Sequence, residues 1–228
     1  MAVEKLFVKE GIKKAEVEAY LAKRFNRAGY SHTEIQRTPL GTRIIVFAHK
    51  PGLVVGRSGR RIQEITDEIH EKFGFENPLI DVKEVENPFL DAKIVASRIA
   101  NALERGINFK KVANYYLDKV IEEGAVGISI HVGGKLMGAE RSRFQKFKKG
   151  FVAYSGDYAE TLVDKGYAQG NVRPGMIGIQ VRIMKESPKE FEMKKEKDTK
   201  EETPEQKAAR EAELKEMVAE MKEVSEKI

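Results

Sequence analysis

The most constraining stretch of this 228-residue sequence is a two-glycine loop set between an apolar run and a helical pattern. Ile44, Ile45, Val46 and Phe47 are consecutive and suit a buried strand. Ile62, Ile65 and Ile69 recur at helical spacing, with Phe73 one turn on and Gly74 placed to end the helix. Between them stands Gly56-Arg57-Ser58-Gly59, preceded by Pro51-Gly52-Leu53-Val54-Val55. Two glycines let the backbone approach another chain without Cβ clashes. A helix opening at Gly59 offers unpaired amides and the positive end of its dipole, a setting that favours phosphate. Arg57, Arg60 and Arg61 add full charges. The loop lacks both the third glycine of a dinucleotide fingerprint and the Gly-Lys-Ser/Thr ending of a nucleoside-triphosphate loop.

In this strand–loop–helix context the segment resembles the KH module, whose GXXG loop clamps about four backbone nucleotides. The resemblance implies that Gly56, Arg57, Ser58, Gly59, Arg60 and Arg61 contact RNA. It also implies that Ile45, Val54, Val55, Ile62 and Ile65 border an apolar groove, one or two of them touching bases and the others serving as core. An amphipathic helix at 13–27, carrying Val17, Tyr20, Leu21 and Phe25, precedes the core, as does a short polar strand at 33–38. That order is the type II arrangement of the module. A strand at 79–85 completes a first domain at 1–86.

A second domain is expected at 87–184. Asn87 and Pro88 suit the cap and first position of a helix reaching Arg105, ended by Gly106. Asn108 suits the cap of another, from Phe109 to Glu123, closed by Gly124. Val126, Ile128, Ile130 and Val132 alternate with small or polar residues, as do Ile177, Ile179, Val181 and Ile183. Both runs read as strands with one buried face. The basic run 141–149 fits a strand or a helix. The fold class is α+β: a type II KH domain, a second α+β domain of two helices on a mainly antiparallel sheet, and a charged tail. The tail, 185–228, reads as a charged linker, then a helix opened by Thr203-Pro204-Glu205-Gln206. Leu214, Met217, Val218, Met221 and Ile228 form its apolar stripe.

Charge is uneven. The whole chain carries a formal +5, but its tail holds 11 basic and 14 acidic residues, leaving +8 for residues 1–184. A positive body points to a polyanionic partner. The absence of cysteine excludes disulfides and thiolate metal sites. His32, His49, His70 and His131 share no metal-ligand spacing, and no cofactor motif stands out. The start lacks the apolar run of a signal peptide and no stretch has the length of a membrane span, so a soluble intracellular protein is expected. Abundant Lys and Glu without Cys or Trp suit a heat-adapted source.

The second half narrows the resemblance. Gly127-Ile128-Ser129-Ile130-His131-Val132-Gly133-Gly134-Lys135-Leu136-Met137-Gly138-Ala139-Glu140-Arg141, Tyr154-Ser155-Gly156-Asp157 and Gly175-Met176-Ile177-Gly178-Ile179-Gln180-Val181-Arg182-Ile183 resemble the third-protein family of the small ribosomal subunit. Together with 56–65 the likeness runs over about 5–184, and the Ser155-Gly156-Asp157 step looks archaeal or eukaryotic. The resemblance implies a cytoplasmic ribosomal protein in the small-subunit head. Its partners would be ribosomal RNA, neighbouring ribosomal proteins and messenger RNA entering its tunnel. Lys110 and Lys111 align with basic residues that face that tunnel, and Asn114 stands where bacterial members carry another base. By the residues themselves, Lys110 and Lys111 oppose a helix dipole, which suggests an external anion. Lys135, Arg141, Arg143, Lys146, Lys148 and Lys149 stand against one acid, Glu140, and suit phosphate. Phe144, Phe147 and Phe151, interleaved among them, suit core. No paired-carboxylate, His-Asp or metal constellation supports an enzyme. A free-standing KH-type RNA-binding regulator is the alternative.

Overall fold

The computed structural model describes residues 3–38, 41–75, 77–138, 141–173 and 175–187. The expected linker and tail helix therefore lie almost wholly outside the described residues, as does Glu140.

Helix α1 spans Val3–Arg24. Val17 and Leu21 are buried on one face, and Phe25 continues that line. The helix begins ten residues before the expected start. Its first turns mix Lys5, Lys9, Glu4 and Glu10, which propagate a helix well, with apolar residues, of which Phe7, Val8 and Ile12 are exposed. A 3-10 turn, Asn26–Ala28, takes over where the helix was expected to continue, and Gly29 closes it at φ 72°. Strands β1 (Tyr30–Thr38) and β2 (Gly41–Ala48) pair antiparallel. After α2 (Pro51–Val55) and α3 (Arg60–Phe73), strand β3 (Leu79–Glu84) joins β2 in parallel. The sheet order is β1-β2-β3. Leu21, Phe25, Ile44, Val46, Val54, Ile65 and Ile69 share one core beneath it. A helix and strand before a strand–helix–helix–strand core is the type II KH arrangement.

The second half is a four-stranded antiparallel sheet, β5-β4-β7-β6, with two helices on one face. Its elements are α4 (Ala92–Glu104), α5 (Phe109–Glu122), β4 (Gly127–Gly134), β5 (Arg143–Gly150), the short α6 (Tyr158–Thr161), β6 (Val163–Val172) and β7 (Gly175–Met184). The basic run thus resolves as a strand. Ile128, Ile130, Val132, Ile177, Ile179, Val181 and Ile183 meet Val95, Ile99, Leu103, Val112 and Val120 in the larger core. The edge strand β6 was not anticipated. It passes so close to α4 that a Cβ on Gly166 would lie 2.1 Å from the Ala92 carbonyl.

The start of α4 is a correction. Residues 87–90 form a turn closed by Leu90 N–H on the Asn87 carbonyl (3.1 Å), so neither Asn87 nor Pro88 starts the helix. Asp91 caps it instead, accepting from Lys93 N–H (2.9 Å) and Ile94 N–H (3.0 Å). The other Asp91 oxygen accepts from the Ser31 hydroxyl of β1, and Asp164 of β6 accepts from Ala92 N–H (2.9 Å). One helix end is thereby tied to both sheets. Asn108 caps α5 as expected, accepting from Lys110 N–H at 3.0 Å. Among the described residues no helix is long and apolar enough to cross a membrane.

Candidate nucleic-acid interface

Three of the four residues of the GXXG loop have positive φ. Gly56 sits at φ 72°, ψ −174°, Ser58 at φ 55°, ψ 27° and Gly59 at φ 75°, ψ 0°. A Cβ on Gly56 would fall 2.7 Å from the Arg61 Cβ. Ser58 bears strain of roughly 1–2 kcal/mol for an L-residue in this region. The turn delivers the chain into α3 with no side-chain cap and no acid in the first turn, so the amides there face outward uncompensated. Arg61 is partly structural, donating from Nη1 to the Leu53 carbonyl (3.0 Å). Arg57 and Arg60 are exposed and have no ion pair among the described residues.

The apolar border of this loop is narrower than expected. Ile45, Val54 and Ile65 are buried as core; Val55 and Ile62 remain half-open, and Leu53, at 46% exposure, joins them. Packing won at these three positions: Val54 of α2 and Ile65 of α3 join the core beneath the sheet, and Ile45 is buried within β2.

In the second half, strand alternation sorts the basic cluster onto different faces. Lys149 is paired with Ile128 in the helix-facing row and binds Asp118 of α5 at 2.6 Å. Arg143 belongs to that row as well. Lys146 and Lys148 point the other way, onto the sheet face opposite α4 and α5. Three rows cross that face: Phe144–Gly133–Gly178–Gln169, Lys146–His131–Gln180–Tyr167, and Lys148–Ser129–Arg182–Lys165. They hold four cations and no carboxylate, and among the described residues none of the four forms an ion pair. Arg182, Lys165 and Tyr167 were not singled out from the sequence.

Tyr154 organises the cations. Its hydroxyl donates to Ser129 Oγ (2.9 Å), and its ring lies 4.2 Å from Lys146 Nζ, 5.7 Å from Lys148 Nζ and 5.3 Å from the Arg182 guanidinium. Burial alone would raise the phenol pKa, but hydrogen bonding with Ser129 and Lys146 and the charges of Lys146 and Lys148 bring it below the ordinary value. Burial, then the charges of Lys146 and Arg182, lower the His131 pKa. Of the phenylalanines, Phe147 packs against Phe109 (6.1 Å) as core. Phe144 corrects the expectation: it is 83% exposed, because an edge strand with one open face gives it nothing to pack on. Phe151 is also largely exposed.

Lys110 and Lys111 stand exposed in the first turn of α5, which contains no acid. Lys135 and Arg173 line a concavity of about 710 Å³ whose wall includes Asn108 and Phe109, the residues that open α5. Arg141 is exposed beside β5. The structure therefore gathers the loop residues Gly56 to Arg61 in one place, Lys110 and Lys111 with nearby Lys135 at the start of α5 in another, and Lys146 and Lys148 on the open sheet face, while Arg141, Arg143 and Lys149 stand apart from all three. No group of three or more His, Asp or Glu among the described residues is placed to hold a metal ion.

Comparisons with known proteins fall on the same two regions. Residues 16–90 match the KH domain, and residues 99–183 match the C-terminal domain of ribosomal protein S3. The small ribosomal subunit protein uS3 of Methanocaldococcus jannaschii is 47% identical over 183 residues, which cover 80% of this chain and 88% of that protein. Its counterpart in Methanoregula boonei is 45% identical over 184 residues, 81% of this chain and 79% of the relative. That of Methanocorpusculum labreanum is 44% identical with the same coverage.

Proposed function

This chain belongs to the ribosomal protein S3 family, and from that membership we propose that it is a structural constituent of the small ribosomal subunit and not an enzyme. In this reading it binds ribosomal RNA in the subunit head, touches neighbouring ribosomal proteins, and works in the cytoplasm. The division into an RNA-binding KH domain at 1–86, a ribosomal domain at 87–184 and a tail at 185–228 is part of the same proposal. The observation that carries it is the open sheet face, where Lys146, Lys148, Lys165 and Arg182 stand together without a single carboxylate. Such a face suits phosphates, which give affinity and register with little sequence information. The GXXG loop adds a second contact with its unpaired Arg57 and Arg60.

Lys110 and Lys111 support a finer assignment, the border of the tunnel through which messenger RNA enters. Both cations oppose the α5 dipole, at roughly 0.3–1 kcal/mol each, and are exposed. Asn114, one turn on, is exposed and uncharged. The test is sedimentation of small subunits after a high-salt wash. The chain is expected to remain with the subunit; its release would favour a free-standing KH-type RNA-binding regulator. Crosslinking from messenger RNA in programmed subunits to the start of α5 checks the tunnel assignment.

A further inference from the structure

The loops at one end of the first sheet and the facing sides of α4 and α5 enclose a cleft of about 390 Å³. That is within the roughly 300–1,000 Å³ of ordinary ligand sites. Two backbone hydrogen bonds set one wall: His49 N–H to the Gly29 carbonyl (3.0 Å) and Lys50 N–H to the Ala28 carbonyl (3.1 Å). This wall presents Arg27 and Lys50. A stripe of α4 presents Arg98 and Arg105, and α5 presents Tyr115 and Tyr116, whose rings meet edge to face at 5.3 Å.

The lining contains four cations and no Asp or Glu. Among the described residues none of the four forms an ion pair. Like charges converging on one concavity raise its potential and draw in an anion. Arg98 is held over the Phe89 ring at 5.1 Å, so its guanidinium is placed in advance. Its charge bears on both sides of the cleft. Burial first, then Arg98 and Lys50, lower the His49 pKa against a smaller opposing pull from Glu84; at Tyr116 Arg98 opposes the upward push of burial. His49 Nδ1 is buried without a hydrogen-bond partner among the described residues. Tyr115, 53% exposed, offers an aromatic surface beside the charges.

We infer that this cleft holds one nucleotide turned out of an RNA strand, its base against Tyr115 and Tyr116 and the adjoining phosphates on Arg27, Lys50, Arg98 and Arg105. Four cations exceed the charge of a single monophosphate, whereas successive phosphates of a strand match them. Base–aromatic contact tolerates any base, so the site is expected to be indifferent to sequence. The inference rests on the RNA-binding reading and assigns it a site separate from the GXXG loop and the sheet face.

The test uses the full-length chain, a short uridine oligonucleotide and the same oligonucleotide carrying 4-thiouridine. Lys50→Gln with Arg105→Gln, both exposed positions, is expected to weaken binding and to flatten the log-affinity against log-salt slope by about 1.4 for two lost contacts on a single strand. Tyr115→Ala is expected to weaken binding about fivefold or more and to remove crosslinks at the tyrosine pair. Circular dichroism of both variants checks the fold. Uridine monophosphate and inorganic phosphate are expected to displace the oligonucleotide poorly. If both variants bind RNA with wild-type affinity, slope and crosslinks, the cleft assignment is overturned while the RNA-binding reading stands. If the wild type binds no oligonucleotide, the reading itself fails and the assignment with it. Displacement by uridine monophosphate at matched concentration would make a free nucleotide the ligand; displacement by polyglutamate at matched charge would make it an acidic protein segment. Either result overturns an RNA origin.

Discussion

Gly56 shows how one residue sets the geometry of a binding loop. Its φ and ψ lie in a region that only glycine enters readily, and Arg61 occupies the space a methyl group would need. Gly56→Ala is therefore expected to cost about 1–3 kcal/mol in urea unfolding and to weaken RNA binding as the loop shifts. A variant as stable as the parent would mean that the loop has another accessible conformation. His131 makes a second residue-scale prediction. Its folded pKa lies below the ordinary 6.5 because burial, Lys146 and Arg182 oppose the imidazolium. The unfolded chain then takes up a proton first as pH falls through 6.5, so stability drops from there toward the folded pKa. His49, lowered by burial, Arg98 and Lys50, acts in the same direction. His131→Gln is expected to reduce the slope of the urea midpoint between about pH 7 and 5.5. An unchanged slope would show that His131 protonates freely in the fold.

Elements differ in how plainly the sequence announces them. Strands β4 and β7 are legible because every second residue is a branched aliphatic facing two helices. Strand β6 is silent for a physical reason: its helix-facing positions include Gly166, Ala168 and Gly170, kept small by the close approach of α4, so the apolar half of the alternation disappears. Strand β5 is ambiguous because it is an edge strand with one open face, leaving Phe147 as its one substantially covered side chain. The Asn87–Pro88 signal misleads because a capping side chain matters only where the next residues turn helically, and Asp91 holds that place. The same alternation divides neighbouring lysines. Lys148 faces the open rows, while Lys149 is neutralised by Asp118. Lys148→Gln is expected to flatten the salt slope of RNA binding by about 0.7, as one lost contact on a single strand would. Lys149→Gln is expected to leave the slope nearly unchanged and, as an exposed pair, to cost at most about 1 kcal/mol of stability. Equal effects from the two would refute the sorting of charges by face.

At the scale of the whole molecule, charge and fold agree on a polyanionic partner, and the fold brings the candidate cations together. The GXXG loop was legible because its residues are contiguous. The sheet face required β6 and β7 to bring Lys165 and Arg182 beside Lys146 and Lys148, and the cleft draws on Arg27, Lys50, Arg98 and Tyr115 from four separate segments. Neither constellation has a spacing that a linear reading can find. The acidic balance of residues 185–228, 11 basic against 14 acidic, opposes phosphate. Truncation after Ser187 is expected to leave RNA affinity equal or slightly higher in a direct titration. A large loss would assign RNA contacts to the tail.

The shared start of α4 also has a meaning in time. A chain is made from its N-terminus, so the Ser31 hydroxyl must wait 60 residues for its acceptor, Asp91. The Ala92 amide must wait another 72 residues for Asp164. During synthesis the first sheet can therefore close while α4 still lacks one anchor and the β-sheet it will rest on. The junction is completed only as the second sheet emerges, so the contact that ties α4 to both sheets is among the last that synthesis allows.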